Sequence, residues 1–181
     1  MERSYYVATA NPFAPAPALD ADIEADIVVV GGGYTGLHTA LSAAERGYSV
    51  ALLEAGKIGW GASGRNGGQL IPGWRKGASE LVKLYGERRA RELFDLALRA
   101  REEVLATISA NRLRCDLVQS GHLLAAAKPG DLAWMREEVE TLKRVMDYHD
   151  ARVLSASETA EEVASPRFHG GLLDARGGHF H

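Results

Sequence analysis

The chain has 181 residues, of which 46% are hydrophobic and 25% charged, with 21 Lys and Arg against 24 Asp and Glu and a formal net charge of −3. That balance is the one expected of a globular chain of ordinary domain size, and it leaves no basic footprint for nucleic acid. A single cysteine, Cys115, excludes an internal disulfide and predicts a reducing, cytoplasmic setting; no apolar run approaches a membrane span, and MERSYYVATA lacks the apolar core of a signal peptide.

Residues 1–24 read as an arm. Within Met1–Asp22, the prolines at 12, 15 and 17 of NPFAPAPALDAD argue against helix and predict an extended surface segment. Ile27–Val30 is a short β-branched run, expected of a strand buried on both faces of a parallel sheet. Gly31, Gly33 and Gly36 then fit G-x-G-x-x-G. The first glycine turns the chain off the strand, the second lets backbone approach a pyrophosphate, and the third lets the helix pack close to the sheet. Leu37, Ala40, Leu41 and Ala44 follow at helical spacing, and Gly47 ends the helix. The helix start suits an anionic diphosphate. Tyr48–Leu53 is a second strand closed by Glu54, whose carboxylate can accept from both hydroxyls of an adenosine ribose and would repel a 2′-phosphate. The surrounding strand, helix and acid supply the context the motif requires. An unliganded βαβ turn is the bland alternative.

Between Gly59 and Gln69 runs a second glycine-rich loop, GWGASGRNGGQ. Its glycines permit close backbone approach, its Ser63 and Asn66 can bond phosphate oxygens, and Arg65 carries a fixed positive charge. A plain nicotinamide dehydrogenase needs only a short loop here. A long polar loop that keeps Trp60 favours a larger cofactor with phosphates and a flat ring, so FAD is expected and a nicotinamide is the alternative.

Beyond the loop, Lys76–Tyr85 reads as a short helix interrupted at Gly86. Glu87–Ser109 reads as a longer one with Leu93, Leu96, Ala97, Ala100, Val104 and Ile108 as its apolar stripe. Asp116–Ala127 is a predicted strand with an irregularity at Gly121. Asp131–Met146 is a predicted helix capped by Asp131, with Leu132, Met135, Val139, Leu142 and Met146 inward. Arg152–Leu154 is a short strand, Ser155 and Glu158 form a capping box for a helix ending near Val163, and Leu172–Phe180 reads as a hairpin around Arg176-Gly177-Gly178. His179 and His181 lie two apart, His122 and His169 are isolated, and no Cys or acidic partner has metal-ligand spacing, so no metal is expected. Gly61–Gly64 lacks the G-x-S-x-G setting of a hydrolase elbow.

SYYVATANP (Ser4–Pro12), VVGGGYTGL (Val29–Leu37), LLEA (Leu52–Ala55), GWGASGRNGGQ and GGLLDARGGHFH (Gly170–His181) together resemble the amino-terminal part of the FAD-dependent oxidoreductases of the D-amino-acid oxidase superfamily, most nearly its gamma-glutamylputrescine oxidase branch. The resemblance implies an α/β fold, a Rossmann-like FAD/NAD(P)-binding βαβ unit (residues 25–75) followed by the beginning of an α+β substrate domain (residues 76–181), the whole being incomplete. It implies that Gly31, Gly33 and Gly36 hold the diphosphate and Glu54 the ribose, with Ser63, Arg65, Asn66, Gly67 and Gly68 along the diphosphate and flavin ring. Tyr34, Thr35, Ala55, Gly61, Ala62 and Gln69 complete the candidate cofactor contacts. It also implies oxidation of a C–N bond of a small-molecule amine or amino acid, the imine then being hydrolysed. Arg65 is the candidate catalytic group, a cation able to stabilise a reduced, anionic ring, with a purely phosphate-binding or structural role as the alternative. Family members are longer, so a further carboxy-terminal part, missing or on a separate chain, is expected to supply a third parallel strand and most of the substrate domain. Without it the sheet should leave an uncovered edge. A non-catalytic dinucleotide-binding fragment is the second functional class.

Overall fold

A computed structural model describes residues 5–181, so Ser4 and the three residues before it lie outside the described residues. The chain divides into two compact units, Met1–Gly67 with His181, and Gly68–Phe180.

The first unit opens with a short helix, α1 (Tyr5–Thr9), where an extended arm was expected. The prolines act only downstream: they begin at Pro12, and no regular structure follows until β1 (Ile27–Val30). α2 (Tyr34–Glu45) and β2 (Val50–Leu53) complete a βαβ unit. β1 and β2 are parallel, with Ile27 opposite Val50 and Val30 opposite Leu53. The strand starts are tied by Asp26, whose carboxylate accepts from the Ser49 backbone N–H at 2.9 Å and hydroxyl at 2.6 Å; these bonds hold its carboxyl below the usual carboxylate range. At the end of α2, Gly47 takes φ +88° and donates to the Ala44 carbonyl at 2.9 Å. The expectation of a strand buried on both faces fails at β1: Val28 is 57% and Val30 84% exposed. α2 packs on β1 and β2, and among the described residues the sheet has two strands, so the face bearing Val28 and Val30 is largely open.

The second unit starts with β3 (Gln69–Leu70) and then α3 (Ala78–Ala110), which breaks at Gly86 with φ 75° and ψ 163°. β4 (His122–Ala125), α4 (Asp131–Met146), β5 (Ala151–Leu154), α5 (Ala156–Val163), β6 (Gly171–Asp174) and β7 (Gly178–His179) follow. β4, β6 and β5 form an antiparallel sheet in that order, and α4 packs on it and on α3. The core contains Leu81, Phe94, Met135, Val139, Met146 and Leu172; the Phe94 and Tyr148 rings meet edge-on at 5.2 Å. The start of α3 is capped from α4, where the Glu138 carboxylate accepts from the Ala78 and Ser79 N–H groups.

Several boundaries differ from expectation for identifiable reasons. Gly130, not Asp131, is the cap residue of α4, and the Asp131 carboxylate instead accepts from Lys128 N at 2.9 Å. The Asp116–Ala127 strand shrinks to β4 because Gly121 takes φ +91°, leaving a single bridge from Val118 to His179 upstream. Leu172–Phe180 is no hairpin: β6 pairs with β4 and β5, whereas β7 pairs antiparallel with β3. On α3 beyond Gly86 the buried positions are Ala90, Phe94 and Arg101, a line rotated from the expected stripe. Leu96, Ala97, Ala100 and Val104 border an open groove of about 300 Å³ instead. The Ser155–Glu158 capping box forms as expected, with both reciprocal bonds present.

Candidate functional site

The glycine turn is built by backbone demands that differ at each position. Gly31 donates to the Leu53 carbonyl at 2.7 Å and has φ +109°, and a Cβ there would enter open space. Gly36 is required by contact, since a Cβ would collide with the Gly31 carbonyl oxygen. This glycine brings the first turn of α2 down onto the end of β1. A Cβ at Gly33 would stand 2.9 Å from the Ser63 hydroxyl, so its close neighbour is the second loop.

Glu54 sits at the end of β2 and reaches back to that turn. Its Oε2 accepts from Gly32 N at 2.7 Å and its Oε1 from Gly56 N at 2.8 Å. These bonds, Gly32 first, hold its carboxyl below the usual carboxylate range. Each oxygen retains a further lone pair for an incoming hydroxyl. Gly56 and Ile58 are contributors that no sequence motif pointed to. A Cβ on Gly32 would strike the Ile58 side chain, and Gly59 N donates to the Gly32 carbonyl at 2.9 Å. The Glu-x-Gly spacing of Glu54 and Gly56 was the available signal, because a residue two beyond the carboxylate can turn its N–H back to it.

The second loop folds against the same helix start. Ser63 Oγ accepts from Tyr34 N at 3.1 Å. Asn66 Nδ2 donates to the carbonyls of Ala62 at 3.1 Å and Ser63 at 2.8 Å, and lies 3.5 Å from the Tyr34 hydroxyl. Gly61 starts and Ala62–Gly64 form a single 3-10 turn, and Gly64 presses against the Gly59 carbonyl. Arg65 donates from Nε to the Gly61 carbonyl at 3.1 Å, and its guanidinium carbon lies 5.0 Å from the Trp60 ring centre, a cation–π geometry. Thr35 lies in the first turn of α2, its carbonyl accepting from Thr39 Oγ1 at 2.7 Å; Ala55 and Gly67 are exposed. Thus Gly31, Gly33, Tyr34, Gly36, Glu54, Ser63 and Asn66 converge within one unit. Gly68 and Gln69 belong to the other unit, where Gln69 begins β3. His181 bonds Thr9, with Nε2 2.6 Å from the hydroxyl. Among the described residues no group of three or more His, Cys, Asp or Glu side chains could hold a metal ion, and no helix is long and apolar enough to cross a membrane.

A parallel βαβ unit with an open glycine turn, a helix start pressed onto the strand end and a pre-oriented carboxylate has the build of the dinucleotide-binding α/β proteins. The residues present fit such a ligand, since the turn beside Gly31 is open and Glu54 is already aimed. The chain belongs to the DAO family of FAD-dependent oxidoreductases, whose model matches residues 26–181. It is 42% identical over 178 residues to gamma-glutamylputrescine oxidoreductase of Escherichia coli (strain K12), covering 98% of this chain and 41% of that protein. In fold it is similar to glycine oxidase from Geobacillus kaustophilus, with a TM-score of 0.71 at 22% identity over 86% of this chain and 40% of that one. L-amino acid deaminase from Proteus vulgaris follows, with a TM-score of 0.67 at 21% identity over 93% and 37%. The chain therefore spans about 41% of the length of the curated relative it matches.

Proposed function

We propose that this chain is the amino-terminal, ADP-gripping part of an FAD-dependent oxidoreductase that oxidises a C–N bond of a small amine or amino acid. The observation that carries the reading is Glu54, held by two backbone N–H groups at the mouth of an open glycine turn. In this reading Gly31, Gly33, Tyr34, Thr35 and Gly36 seat the diphosphate against the α2 dipole, and Glu54 with Ala55 receives the adenosine ribose. The loop Gly61–Gln69 follows the cofactor towards its ring. Arg65 contributes a fixed positive charge, oriented by Trp60 and the Gly61 carbonyl. FAD held there would supply a hydride acceptor for the carbon bearing nitrogen, the chemistry that oxidation of a C–N bond requires. The sequence of the Escherichia coli relative, at 42% identity, supports an amine substrate class. The greater length of the Escherichia coli relative, of which this chain covers 41%, supports assigning completion of the sheet and of the substrate domain to a further carboxy-terminal part. Their division into arm, cofactor unit (25–75) and substrate-domain start (76–181) is part of the same proposal.

The test is a binding titration of the full chain with FAD, followed by flavin fluorescence, beside Glu54→Gln. Loss of a charged acceptor for ribose hydroxyls is expected to weaken FAD by about tenfold or more. Unaltered FAD affinity in Glu54→Gln would refute the ribose assignment, and preference for NAD over FAD would move the chain to the nicotinamide alternative.

A further inference from the structure

Arg101 is charged, lies in the middle of α3, and is only 6% exposed. The proposed function gives it no part. Its guanidinium reaches three different places. Nε donates to the Arg176 carbonyl at 2.9 Å, Nη2 to Gln119 Oε1 at 3.1 Å, and Nη1 to Glu102 Oε1 at 2.8 Å. The same Glu102 oxygen accepts from Arg176 Nη2. A buried guanidinium is tolerated only where its donors are met, and here the partners include two chain segments far apart in sequence.

Those two segments belong to a place where three backbones are pressed together. Val118 and His179 exchange N–H···O bonds at 2.8 and 2.9 Å, and Gly121 N donates to the Gly177 carbonyl at 3.0 Å. β7 pairs with β3 through Gln69–His179 and Leu70–Gly178, and Phe180 N donates to the Gly68 carbonyl at 2.9 Å. Close approach at this junction depends on glycine. A Cβ on Gly68 would collide with the Phe180 carbonyl, one on Gly178 with the Val118 carbonyl, and one on Gly177 with His122. Gly68 also has φ +65°. Arg101 clamps the junction from a buried position, gripping the 176 carbonyl just before β7 and Gln119 beside the Val118 bridge.

We propose that Arg101 is a positioning residue for Gly68 and Gln69, the last residues of the second glycine-rich loop. It fixes β7, β7 fixes β3, and so Gly68 and Gln69 are held in place at the end of the second glycine-rich loop. The inference rests on the proposed cofactor role of Gly68 and Gln69. Its consequence is separable, because Gly31–Gly36 and Glu54 belong to the other unit.

The experiment measures FAD and ADP binding separately, by calorimetry, in the full chain and in Arg101→Met and Arg101→Lys. Far-UV circular dichroism reports folding. The expected result is a folded Arg101→Met that binds FAD about tenfold more weakly, with a changed visible flavin band, while ADP affinity stays within about twofold. Arg101→Lys, which keeps the charge but loses the fork, is expected to fall between the two. Equal weakening of FAD and ADP in a folded variant, or no change in either, overturns the proposal. If Arg101→Met fails to fold, Glu102→Gln loosens the same clamp from a half-exposed position. Selective weakening of FAD in that variant supports the proposal, and equal weakening of both ligands or no change in either overturns it. A wild-type chain that binds neither ligand would instead refute the proposed function itself.

Discussion

Three glycines of one motif should fail in three different ways when each becomes alanine. At Gly36 the new Cβ falls well inside the 3.0 Å limit of real Cβ contacts, against a backbone oxygen that cannot rotate away. The start of α2 has to lift off β1 by about 1 Å, a rearrangement typical of overpacking and costing about 1–3 kcal/mol. At Gly31 nothing lies within 4 Å, but φ is +109°. The cost there is backbone strain, again about 1–3 kcal/mol, with no steric collision. At Gly33 the neighbour is the Ser63 hydroxyl at 2.9 Å, the end of a side chain that can turn. Gly33→Ala is therefore expected to change stability by less than about 0.5 kcal/mol, while disturbing the bond from Tyr34 N to Ser63. Gly33→Val, with two more methyl groups beside the proposed diphosphate, is expected to abolish FAD binding. Urea denaturation of the three alanine variants measures the first set, and FAD titration measures the second. A Gly36→Ala variant as stable as wild type, or a Gly33→Val variant that retains FAD, would show that the helix start is not packed and used as argued.

Two further outcomes are expected. Glu158 is held at about 2 by the Ser155 backbone N–H first, then the Ser155 hydroxyl and Arg152. Its folded value lies below the unfolded 4.5, so its stabilisation is complete above that value and lost as pH falls towards about 2. The stability difference between wild type and Glu158→Gln, followed by denaturant titration, should shrink over that window, and a flat difference would contradict the capping box as the cause. Tyr148 donates its hydroxyl to Asp174 Oδ1 at 2.6 Å inside the core. Burial first, then that bond, push its phenol far above the ordinary range. Tyr148→Phe leaves the buried Asp174 with one donor fewer and is expected to cost about 1–3 kcal/mol. A loss below about 0.5 kcal/mol in the denaturation midpoint would argue against it.

Local signals carried the elements whose cause is local. The IVVV run, the three glycines, Gly47 and the Ser155–Glu158 box are each decided within a few residues by sterics or capping, and the structure forms them at or within two residues of the expected positions. The approach of Glu54 to the glycine turn was legible for the same reason: strand, turn and strand have fixed lengths, so the acid must return beside the first glycine. What local reasoning could not reach was pairing. A hairpin at Leu172–Phe180 is the cheapest closure in sequence terms, yet β7 leaves β6 for β3, more than a hundred residues upstream, because Gly68, Gly177 and Gly178 let main chains come closer than any side chain allows.

The residues themselves determined that a glycine turn, a helix start and a carboxylate would stand together, since backbone geometry within one βαβ unit leaves little choice. Tertiary structure alone decided which side of α3 is buried. Helical periodicity offers Leu96, Ala100 and Val104 as readily as Ala90 and Phe94, and only the packing of α4 selects the second set. It also decided that a charged residue, Arg101, would go inside. A guanidinium is buried when carbonyl and carboxylate partners, some from distant segments, arrive to meet it, and no pattern along the chain records their arrival.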